Sequence, residues 1–538
     1  MTSYYGKGVF HGIAFGKAFV LKNQPEDSVQ VAVGTADEEW AHFLKAKEDA
    51  DRQLELLFEK TSKELGEAQA MIIDVQRLML EDGDLNEMIE AMIKEDNLSA
   101  SEAVRKAGQQ FSDFFASLDD SYMRARATDV LDVAHRVVDL LLGRNRDYKF
   151  TGPTVVIADD LTPSETLQLD RENISGFVIC RGSANSHTAI LAQIMNIPCL
   201  VQTGIQLDSA LDGRDIIIDG AQGACYLDPD DETRTIMQKK QEDLRAQRDL
   251  LQTMRGLETV TKSGKVVRLF ANIGGVEDIK AVLDNDSEGI GVFRSEFSYI
   301  GREDYPTEEE LFQTYREVAA AMNGKKVIIR TLDIGADKQA DYLDLDEEEN
   351  PALGLRGIRI CIERHELFRT QLRAICRASA FGKVAIMFPM IASVWEVKYC
   401  KERVAEVIDE LTKEGVDVGE IDLGIMIETP ASVMIADDLA KEVSFFSVGT
   451  NDLTQYTLAI DRQNSKLDRF FDAHHPAVLR MLEMIAKSAN DNGIWAGICG
   501  ELAADLALTE QFVKMGYAEL SVSPVFILQT RQRIRELD

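Results

Sequence analysis

Residues 444–452 read Ser-Phe-Phe-Ser-Val-Gly-Thr-Asn-Asp, a short apolar run that ends in a glycine and three polar side chains. An apolar run of this length, bounded by turn-forming residues, indicates a buried β-strand. It is one of eight strand-like runs separated by helical stretches, at residues 267–273, 289–294, 327–333, 384–390, 423–428, 444–449, 494–499 and 519–523. Eight β/α units over about 270 residues predict a (β/α)8 barrel of the TIM type.

Polar and charged side chains stand at the ends of most of these runs. They are Arg294, Arg330, Asp333, Glu428, Asn451, Asp452, Cys499 and Glu501, and Arg356 and Arg462 follow in neighbouring loops. The active site of such a barrel lies at the carboxyl ends of its strands. Carboxylate oxygens suit Mg2+, and planar guanidinium groups suit phosphate and carboxylate anions. Any one of these residues would more simply form a surface salt bridge, but the set predicts a site for a divalent cation and a small, multiply anionic ligand.

A single histidine, His187, follows a Gly/Ser-rich turn at residues 182–186 and precedes an apolar helical stretch. A lone histidine in this position is more often a helix cap or a buried spacer. However, an imidazole beside free backbone N–H groups and the positive end of a helix dipole is well placed to receive a phosphoryl group. The barrel residues favour this second reading.

The remaining periodicities predict an α/β multidomain chain. Short strands at residues 7–10, 16–20, 154–158, 176–180, 198–201 and 215–218 predict one α/β domain that contains His187. Between residues 37 and 142 a helical period interrupts this α/β domain. One apolar stripe contains Leu54, Leu57, Phe58, Thr61 and Leu65, and the next contains Met71, Val75, Leu78 and Met79. The predicted domains are residues 1–20 with 145–229, an inserted helical bundle at 21–144, a linker helix at 230–258 and the barrel at 259–538.

Composition limits the partners. The 538 residues carry 59 Lys and Arg against 92 Asp and Glu, a formal net charge of −33, which disfavours nucleic acid or an anionic membrane as a partner. The sequence shows no transmembrane run and no signal pattern, so a cytoplasmic location is expected. The seven cysteines form no C-x-x-C pair, which disfavours a zinc site or a disulfide framework.

Several ordered motifs resemble those of enzyme I of the bacterial sugar phosphotransferase system, the phosphoenolpyruvate-protein phosphotransferase family. The matching segments span nearly the whole chain: residues 161–166, 186–190, 291–297, 330–335, 350–356, 388–390, 427–430, 449–456 and 499–502. Pyruvate phosphate dikinase and phosphoenolpyruvate synthase share the histidine domain and the barrel. This chain instead has a helical insertion of about a hundred residues and no G-x-x-x-x-G-K-[ST] loop, which is the enzyme I arrangement.

The resemblance implies a role for each of the matching residues. His187 would carry the phosphoryl group on Nε2, with Thr166 bonded to its other ring nitrogen. Phosphoenolpyruvate would bind Arg294, Arg330, Arg356, Asn451 and Arg462; Glu428 and Asp452 would hold Mg2+; and Cys499 would donate a proton to the pyruvate enolate. The family also implies transfer to the phosphocarrier protein HPr as the first step of sugar uptake, with the helical domain as the HPr site and the barrel as the dimerisation domain.

The histidine loop departs from the family pattern. Ala184 and Gln193 stand where enzyme I usually has arginines. Two other classes of function therefore stay open: a catalytically divergent regulatory homologue, and a barrel lyase acting on phosphoenolpyruvate or pyruvate. The full set of charged residues at the strand ends counts against the first of these.

Overall fold

A computed structural model describes most of the chain, in the following ranges: residues 1–10, 12–21, 34–65, 67–117, 121–143, 150–159, 161, 169, 173–181, 189, 192, 197–300, 302, 304–335, 341–346, 348–462 and 464–538. The chain divides into two compact units, residues 1–247 and 248–538. Each unit has its own sheet and its own hydrophobic core.

The first unit contains an eight-stranded mixed sheet in the order β1-β8-β7-β3-β4-β5-β6-β2. The strands are β1 (Thr2–Tyr5), β2 (Lys7–Phe10), β3 (Ile13–Leu21), β4 (Thr154–Ala158), β5 (Ile174–Ile179), β6 (Cys199–Val201), β7 (Asp215–Asp219) and β8 (Ala224–Leu227). The pairs β3–β4, β4–β5 and β5–β6 are parallel, and the other neighbours are antiparallel. All six predicted strands are present in one sheet, whereas β1 and β8 were not expected from the sequence.

Five helices lie between β3 and β4 in the chain, as the helical period predicts. They are α1 (Ala36–Leu65), α2 (Glu67–Leu80), α3 (Gly83–Lys94), α4 (Ala100–Ala116) and α5 (Ser121–Leu141). Leu54 and Leu57 are buried as predicted. The predicted stripe on α2 is wrong in phase, because Leu78 is 68% exposed while Gln76 is buried and its Nε2 donates to Asp132 Oδ2 at 2.7 Å. That bond turns a polar face inward, which apolar periodicity cannot show.

The predicted linker helix is α6 (Asp231–Gln252), and the boundary between the two compact units falls within it. Its side chains are mainly exposed, and Met237 is its one buried residue. Lys240 Nζ lies 2.5 Å from the buried carboxylate of Asp219, which attaches the helix to the first unit. The helix ends at residue 252, six residues before the predicted end.

The second unit is a closed barrel of eight parallel strands, as predicted. The strands are β9 (Arg268–Ile273), β10 (Gly289–Arg294), β11 (Lys326–Arg330), β12 (Val384–Phe388), β13 (Asp422–Ile427), β14 (Phe445–Val448), β15 (Trp495–Ile498) and β16 (Glu519–Val522). Strand β16 pairs with β9 and closes the ring. Each observed strand lies within a residue or so of its predicted start, so the apolar runs located all eight.

Helices surround the barrel. They are α7 (Ile279–Asp284), α8 (Glu308–Ala321), α9 (Ile358–Glu363), α10 (His365–Ala378), α11 (Val394–Lys413), α12 (Pro430–Met434), α13 (Ala436–Ala440), α14 (Thr450–Leu458), α15 (Pro476–Asp491), α16 (Thr509–Met515) and α17 (Ile527–Glu536). A large apolar layer fills the space between strands and helices. A second cluster, which includes Phe270, Ile328, Met387 and Phe445, fills the interior of the ring, so the barrel is packed and not a pore.

All seven cysteines are buried and none is joined in a disulfide bond. Among the helices of the described ranges, none has both the length and the apolar character needed to cross a membrane.

Candidate active site

A polar cavity of about 210 Å3 opens at the carboxyl ends of the barrel strands. Its charged and polar lining residues are Arg294, Glu296, Arg330, Asp333, Glu428, Asn451, Asp452, Arg462, Cys499 and Glu501. Pockets for drug-sized ligands occupy about 300–1,000 Å3. The smaller volume and the charged lining suit a small ionic metabolite.

Two carboxylates hold Arg330 at the end of β11. Arg330 Nη2 lies 2.5 Å from Glu296 Oε1, and Nη1 lies 2.9 Å from Asp333 Oδ2. Burial alone would lower the pKa of Arg330, but Glu296, Asp333 and Glu428 raise it above its ordinary value. The guanidinium is therefore a fixed positive charge in the floor of the cavity.

One buried glutamine on α10, Gln371, positions the segments that follow β10 and β11. Gln371 Oε1 accepts from the Leu332 N–H at 2.9 Å, while Nε2 donates to Ser295 Oγ at 2.9 Å and to Tyr315 Oη at 3.2 Å. Ser295 immediately precedes Glu296. One amide side chain thus fixes both segments that hold the Arg330 guanidinium.

Arg356, predicted as a substrate-binding residue, does not line this cavity. It is buried behind it, with Nη2 3.3 Å from Asp333 Oδ1 and Nη1 3.9 Å from Asp452 Oδ1. From there it acts on the carboxylates of the site, and its substrate-binding role stays a prediction.

Glu428 follows β13 and is completely buried. Its Oε1 accepts from the Met390 N–H at 2.5 Å, while Oε2 has no hydrogen-bond partner among the described residues. Burial, Asp452 and Asp333 raise the pKa of Glu428 to about 8, against the opposing effects of Arg330 and the Met390 N–H. Met390 itself has a φ of 57°, so the backbone adopts a left-handed conformation where it supports this carboxylate.

Gly449 leaves room beside Oε2 of Glu428, the oxygen that has no hydrogen-bond partner within the described ranges. A Cβ at this position would lie 2.6 Å from Glu428 Oε2, so any side chain would crowd the carboxylate. The residue after β14 is thus a glycine because the site needs the space, and the polar side chains follow it on the first turn of α14.

Asp452 and Asn451 occupy that first turn. Asp452 Oδ1 has no hydrogen bond within the described part of the chain, although Arg462 Nη2 lies 3.6 Å away. Asn451 Oδ1 accepts from the backbone N–H of Glu501 at 3.1 Å, and Asn451 Nδ2 donates to Glu501 Oε1 at 3.1 Å. These bonds join the end of β14 to the loop after β15.

Cys499 lies at the end of β15 and is 5% exposed. Its Sγ is 3.5 Å from the carbonyl oxygen of Val448, to which the thiol donates. Burial raises the pKa of the thiol to about 12. Cys499 is therefore a neutral proton donor at physiological pH.

Arg294 is the cation without a protein counter-charge. It ends β10 and lines the cavity, and it forms neither an ion pair nor a hydrogen bond with any residue in the described ranges. The residue is exposed and lines the cavity, where its guanidinium is available to an anion.

Comparison with known proteins agrees with this geometry. The family model described as "PEP-utilising enzyme, PEP-binding domain" matches residues 248–538, and the N-terminal and mobile domains of the same enzymes match residues 5–126 and 150–223. A phosphoenolpyruvate-protein phosphotransferase of Priestia megaterium is 43% identical over 98% of this chain and 92% of its own length. Relatives with the same name from Staphylococcus carnosus and Bacillus subtilis are each 40% identical, over 98% and 100% of this chain and 92% and 95% of theirs.

The chain belongs to the phosphoenolpyruvate-protein phosphotransferase family. The match extends through both compact units, so it includes the sheet, the helical insertion and the barrel. The resemblance inferred from the ordered motifs is therefore confirmed.

The donor set fits a divalent cation bound together with its ligand. Among the described residues, no group of three or more His, Cys, Asp or Glu side chains is arranged to hold a metal alone. Mg2+ typically takes one or two protein carboxylates and completes its shell with water and substrate phosphate oxygens. Glu428 Oε2 and Asp452 Oδ1, both buried without hydrogen-bond partners, are two such oxygens.

The residues of the predicted phosphorylation site cannot be placed. His187, Thr166, Ala184 and Gln193 lie outside the described residues. Their roles rest on the sequence alone.

The sequence reasoning did not select Glu296, whose carboxylate fixes Arg330. The signal available was its position two residues beyond Arg294, immediately after a strand. Its pairing with an arginine on the neighbouring strand depends on the barrel, and no local pattern shows it.

Proposed function

We propose that this protein transfers the phosphoryl group of phosphoenolpyruvate to Nε2 of its own His187 and releases pyruvate. The observation that carries the proposal is the cavity at the barrel mouth, where Arg294 and Arg330 face Glu428 and Asp452. Phosphoenolpyruvate has a phosphate and a carboxylate, and the cavity supplies guanidinium groups for both. It also supplies two carboxylate oxygens that have no hydrogen-bond partner among the described residues and could hold a cation.

Arg294 and Arg330 bind the phosphate in this proposal, and Asn451 and Arg462 bind the phosphate or the carboxylate. Arg330 is held rigidly by Glu296 and Asp333, whereas Arg294 lacks such partners and can follow the ligand. A fixed guanidinium fork orients the phosphoryl group at little entropic cost. Arg356 keeps the carboxylates Asp333 and Asp452 in position from behind.

Glu428 and Asp452 would hold Mg2+, which when bound would offset the negative charge of the phosphate. Transfer of a phosphoryl group needs little from a protein beyond alignment and charge stabilisation. The buried floor of the cavity excludes most water from Arg330 and Glu428, so their electrostatic effect on the ligand is strong.

Cys499 completes the reaction by giving its proton to the methylene carbon of the pyruvate enolate. The thiol faces the same cavity as Arg330 and Glu428. Because its pKa is raised to about 12, the proton is present on sulfur throughout the physiological pH range. Protonation on carbon converts the enolate to pyruvate, and the thiolate left on Cys499 must regain a proton before the next turnover.

The phosphoryl group then passes from His187 to a histidine of the phosphocarrier protein HPr, the first step of sugar uptake. The helical bundle of α1–α5 is the proposed HPr site, and the barrel is the proposed dimerisation domain. Family membership supports these assignments. The acidic net charge of the chain favours a basic surface on the carrier.

Labelled phosphoenolpyruvate tests the proposal directly. Incubation of the full-length protein with phosphoenolpyruvate labelled in its phosphate and with Mg2+ should leave an acid-labile, alkali-stable label on the protein. EDTA should prevent the labelling. A label that needs no cation, or no label at all, would contradict the transferase proposal and favour the regulatory or lyase class.

The variant His187→Ala should abolish the label and leave phosphoenolpyruvate binding within about twofold of wild type, because the acceptor and the ligand cavity belong to different compact units. Binding is measured by calorimetry with Mg2+ present. His135→Ala, a change of a histidine on α5, is the matched control and should label as wild type does. Loss of ligand binding in His187→Ala would contradict the two-site arrangement.

A further inference from the structure

A second carboxyl group is buried in the interior of the barrel, and the reaction described above does not use it. Glu519, the first residue of β16, is 2% exposed, and its Oε1 has no hydrogen-bond partner among the residues that the structure describes. Burial raises the pKa of this carboxyl group well above its ordinary value, and the Ser521 hydroxyl only partly offsets the effect. A carboxyl group buried in this way, with no ion pair in the described ranges, is more stable in its protonated, neutral form.

Strand register places this acid beside the reaction centre. Ser447 on β14 pairs with Gly497 on β15, and Gly497 pairs with Glu519 on β16, so the three residues lie at one level on adjacent strands. Ser447 is two residues after Phe445, which belongs to the interior cluster, so its side chain also faces the interior. Cys499 is two residues beyond Gly497 and belongs to the same interior cluster.

Gly497 allows the carboxyl group to extend toward Ser447. Glu519 Oε2 occupies the space that a Cβ on Gly497 would fill, so no other residue is compatible with this position of the acid. Neighbouring strands are about 4.8 Å apart. The carboxyl group therefore reaches over β15 toward the strand that carries Ser447.

Ser447 lies next to the thiol, on the strand toward which the acid extends. Its hydroxyl is close enough to Cys499 to lower the pKa of the thiol slightly against the larger effect of burial. Ser447 Oγ is buried and, like Glu519 Oε1, has no hydrogen-bond partner in the described ranges. Unpartnered polar atoms such as these two are rare in a packed interior and call for a functional explanation.

Further interior polar groups lie on the same side of the ring as Glu519. Asn272 Nδ2 donates to the carbonyl oxygens of Cys499 and Ser521, at 3.0 and 3.1 Å, and the Ser521 hydroxyl donates to Asn272 Oδ1 at 2.6 Å. The interior residues of the opposite strands, Ile328 and Met387, are apolar. The polar patch of Asn272 and Ser521 is thus bonded directly to the backbone of Cys499.

We propose that Glu519 is the proton reservoir of Cys499 and recharges it through Ser447. After the thiol has given its proton to the enolate carbon, the O–H bond of Ser447 breaks as the S–H bond of Cys499 forms, and the O–H bond of Glu519 breaks as that of Ser447 re-forms. Glu519 is left as a carboxylate and takes a proton from water before the next turnover. Glu519 acts through Cys499 and is a positioning residue, and the inference rests on the function proposed above.

Two isotopes separate this role from a structural one. Full-length protein is incubated in D2O with Mg2+, phosphoenolpyruvate and carbon-14 pyruvate. Carbon exchange between pyruvate and phosphoenolpyruvate requires only that phosphoryl transfer runs forward and back, because the thiolate can recover its proton from pyruvate. Deuterium in the methylene group of phosphoenolpyruvate requires that the proton of Cys499 has been replaced from solvent.

The variant Glu519→Gln keeps the size and polarity of the side chain but cannot release a proton. We expect its carbon exchange to stay within about threefold of wild type, and its deuterium incorporation per carbon exchange to fall by at least about tenfold, since a positioned proton donor contributes about 10²–10⁴-fold. Ser447→Ala should show the same split. Glu396→Gln, a buried carboxyl group that instead caps α11, should retain the wild-type ratio.

A parallel fall of both isotope exchanges in Glu519→Gln and Ser447→Ala would assign these residues a structural role and overturn the proposal. So would an unchanged deuterium ratio in either variant. If Glu519→Gln does not fold, Ser447→Ala decides by the same criterion. Wild-type protein that exchanges no carbon at all would instead contradict the phosphotransferase function itself.

Discussion

At the scale of single residues, the site contains a carboxyl group, Glu428, in surroundings that disfavour its ionised form. Glu428 is buried next to Asp452 and Asp333, and its Oε2 has no hydrogen-bond partner among the described residues. Such a carboxylate costs stability when it is ionised and regains it when a cation binds. The same feature that favours ligand binding thus weakens the empty protein.

This cost predicts a pH dependence of stability. With its pKa raised to about 8, Glu428 keeps a proton in the folded state that the unfolded chain has already released near its ordinary pKa. The folded state then binds more protons, so stability falls as pH rises from about 5 to 8, by roughly 2–4 kcal/mol. Urea unfolding of the barrel at several pH values should show this slope, and Glu428→Gln should remove most of its contribution. Equal slopes in the two proteins would show that Glu428 is ionised in the empty site.

For Cys499 the raised pKa predicts an activity that does not change as pH rises. Because the pKa of its thiol is raised to about 12, the donor form persists as pH rises, and the rate of pyruvate formation should show no decline from this group below about pH 10. Cys499→Ala should lower kcat by about 10²-fold or more and change phosphoenolpyruvate affinity less than threefold. Stopped-flow measurement of pyruvate, with calorimetry for affinity, checks both values. Unchanged turnover would show that Cys499 only packs in the interior as a small apolar residue.

At the scale of elements, helix α10 determines the shape of the cavity from outside the ring. Gln371 bonds the segments after β10 and β11, and these carry Glu296 and Arg330. The sequence shows only an amphipathic helix here, and the three bonds depend on how that helix packs against the barrel. A residue outside the cavity thereby controls its most constrained cation.

Gln371→Leu should therefore affect both stability and binding. The change leaves the Leu332 N–H and the Ser295 hydroxyl without their partner in a buried region, and we expect a loss of about 2–4 kcal/mol. Phosphoenolpyruvate affinity should also fall, because Arg330 and Glu296 are no longer fixed. Gln313→Leu, on the exposed face of α8, is the control and should change stability by less than about 0.5 kcal/mol. Weaker stability without weaker binding would separate Gln371 from the site.

At the scale of the whole molecule, the boundary between the units has a measurable consequence. The sequence places the start of the barrel domain at residue 259, yet residues just before it contact the barrel. The carbonyl oxygen of Met254 accepts from the buried Arg531 at 3.0 Å, that of Glu258 accepts from Arg535 at 2.6 Å, and the Gly256 N–H donates to Asp286 at 2.7 Å.

A fragment of residues 248–538 should accordingly be more stable than one of residues 259–538. These three hydrogen bonds and a fourth, from Arg255 Nη2 to the carbonyl oxygen of Leu283 at 3.5 Å, distinguish the fragments. Because one of the four is donated by the buried guanidinium of Arg531, we expect a difference of about 1–3 kcal/mol in the free energy of unfolding. Both fragments should bind phosphoenolpyruvate with Mg2+, since every residue lining the cavity lies beyond residue 259. Urea unfolding and calorimetry provide the measurements. Equal free energies of unfolding would show that residues 248–258 do not stabilise the barrel domain.

The sequence by itself determined the eight strands, the helical insertion and most of the cavity lining. It could do so because each barrel strand is a continuous apolar run and because the carboxyl ends of parallel strands meet at one face of the ring. Arg294, Arg330, Glu428, Asp452 and Cys499 each follow such a run, so a one-dimensional pattern located a three-dimensional site.

Only the tertiary structure decided which groups pair and which stay unpaired. Glu296 meets Arg330, Arg356 is drawn behind the cavity, Gln76 turns inward on α2, and Glu519 reaches over Gly497. Each of these depends on residues far apart in the chain, whose contacts are set by strand register and helix packing. Local periodicity reports whether a face is buried, but the partner of a buried polar group is fixed by what the fold places opposite it.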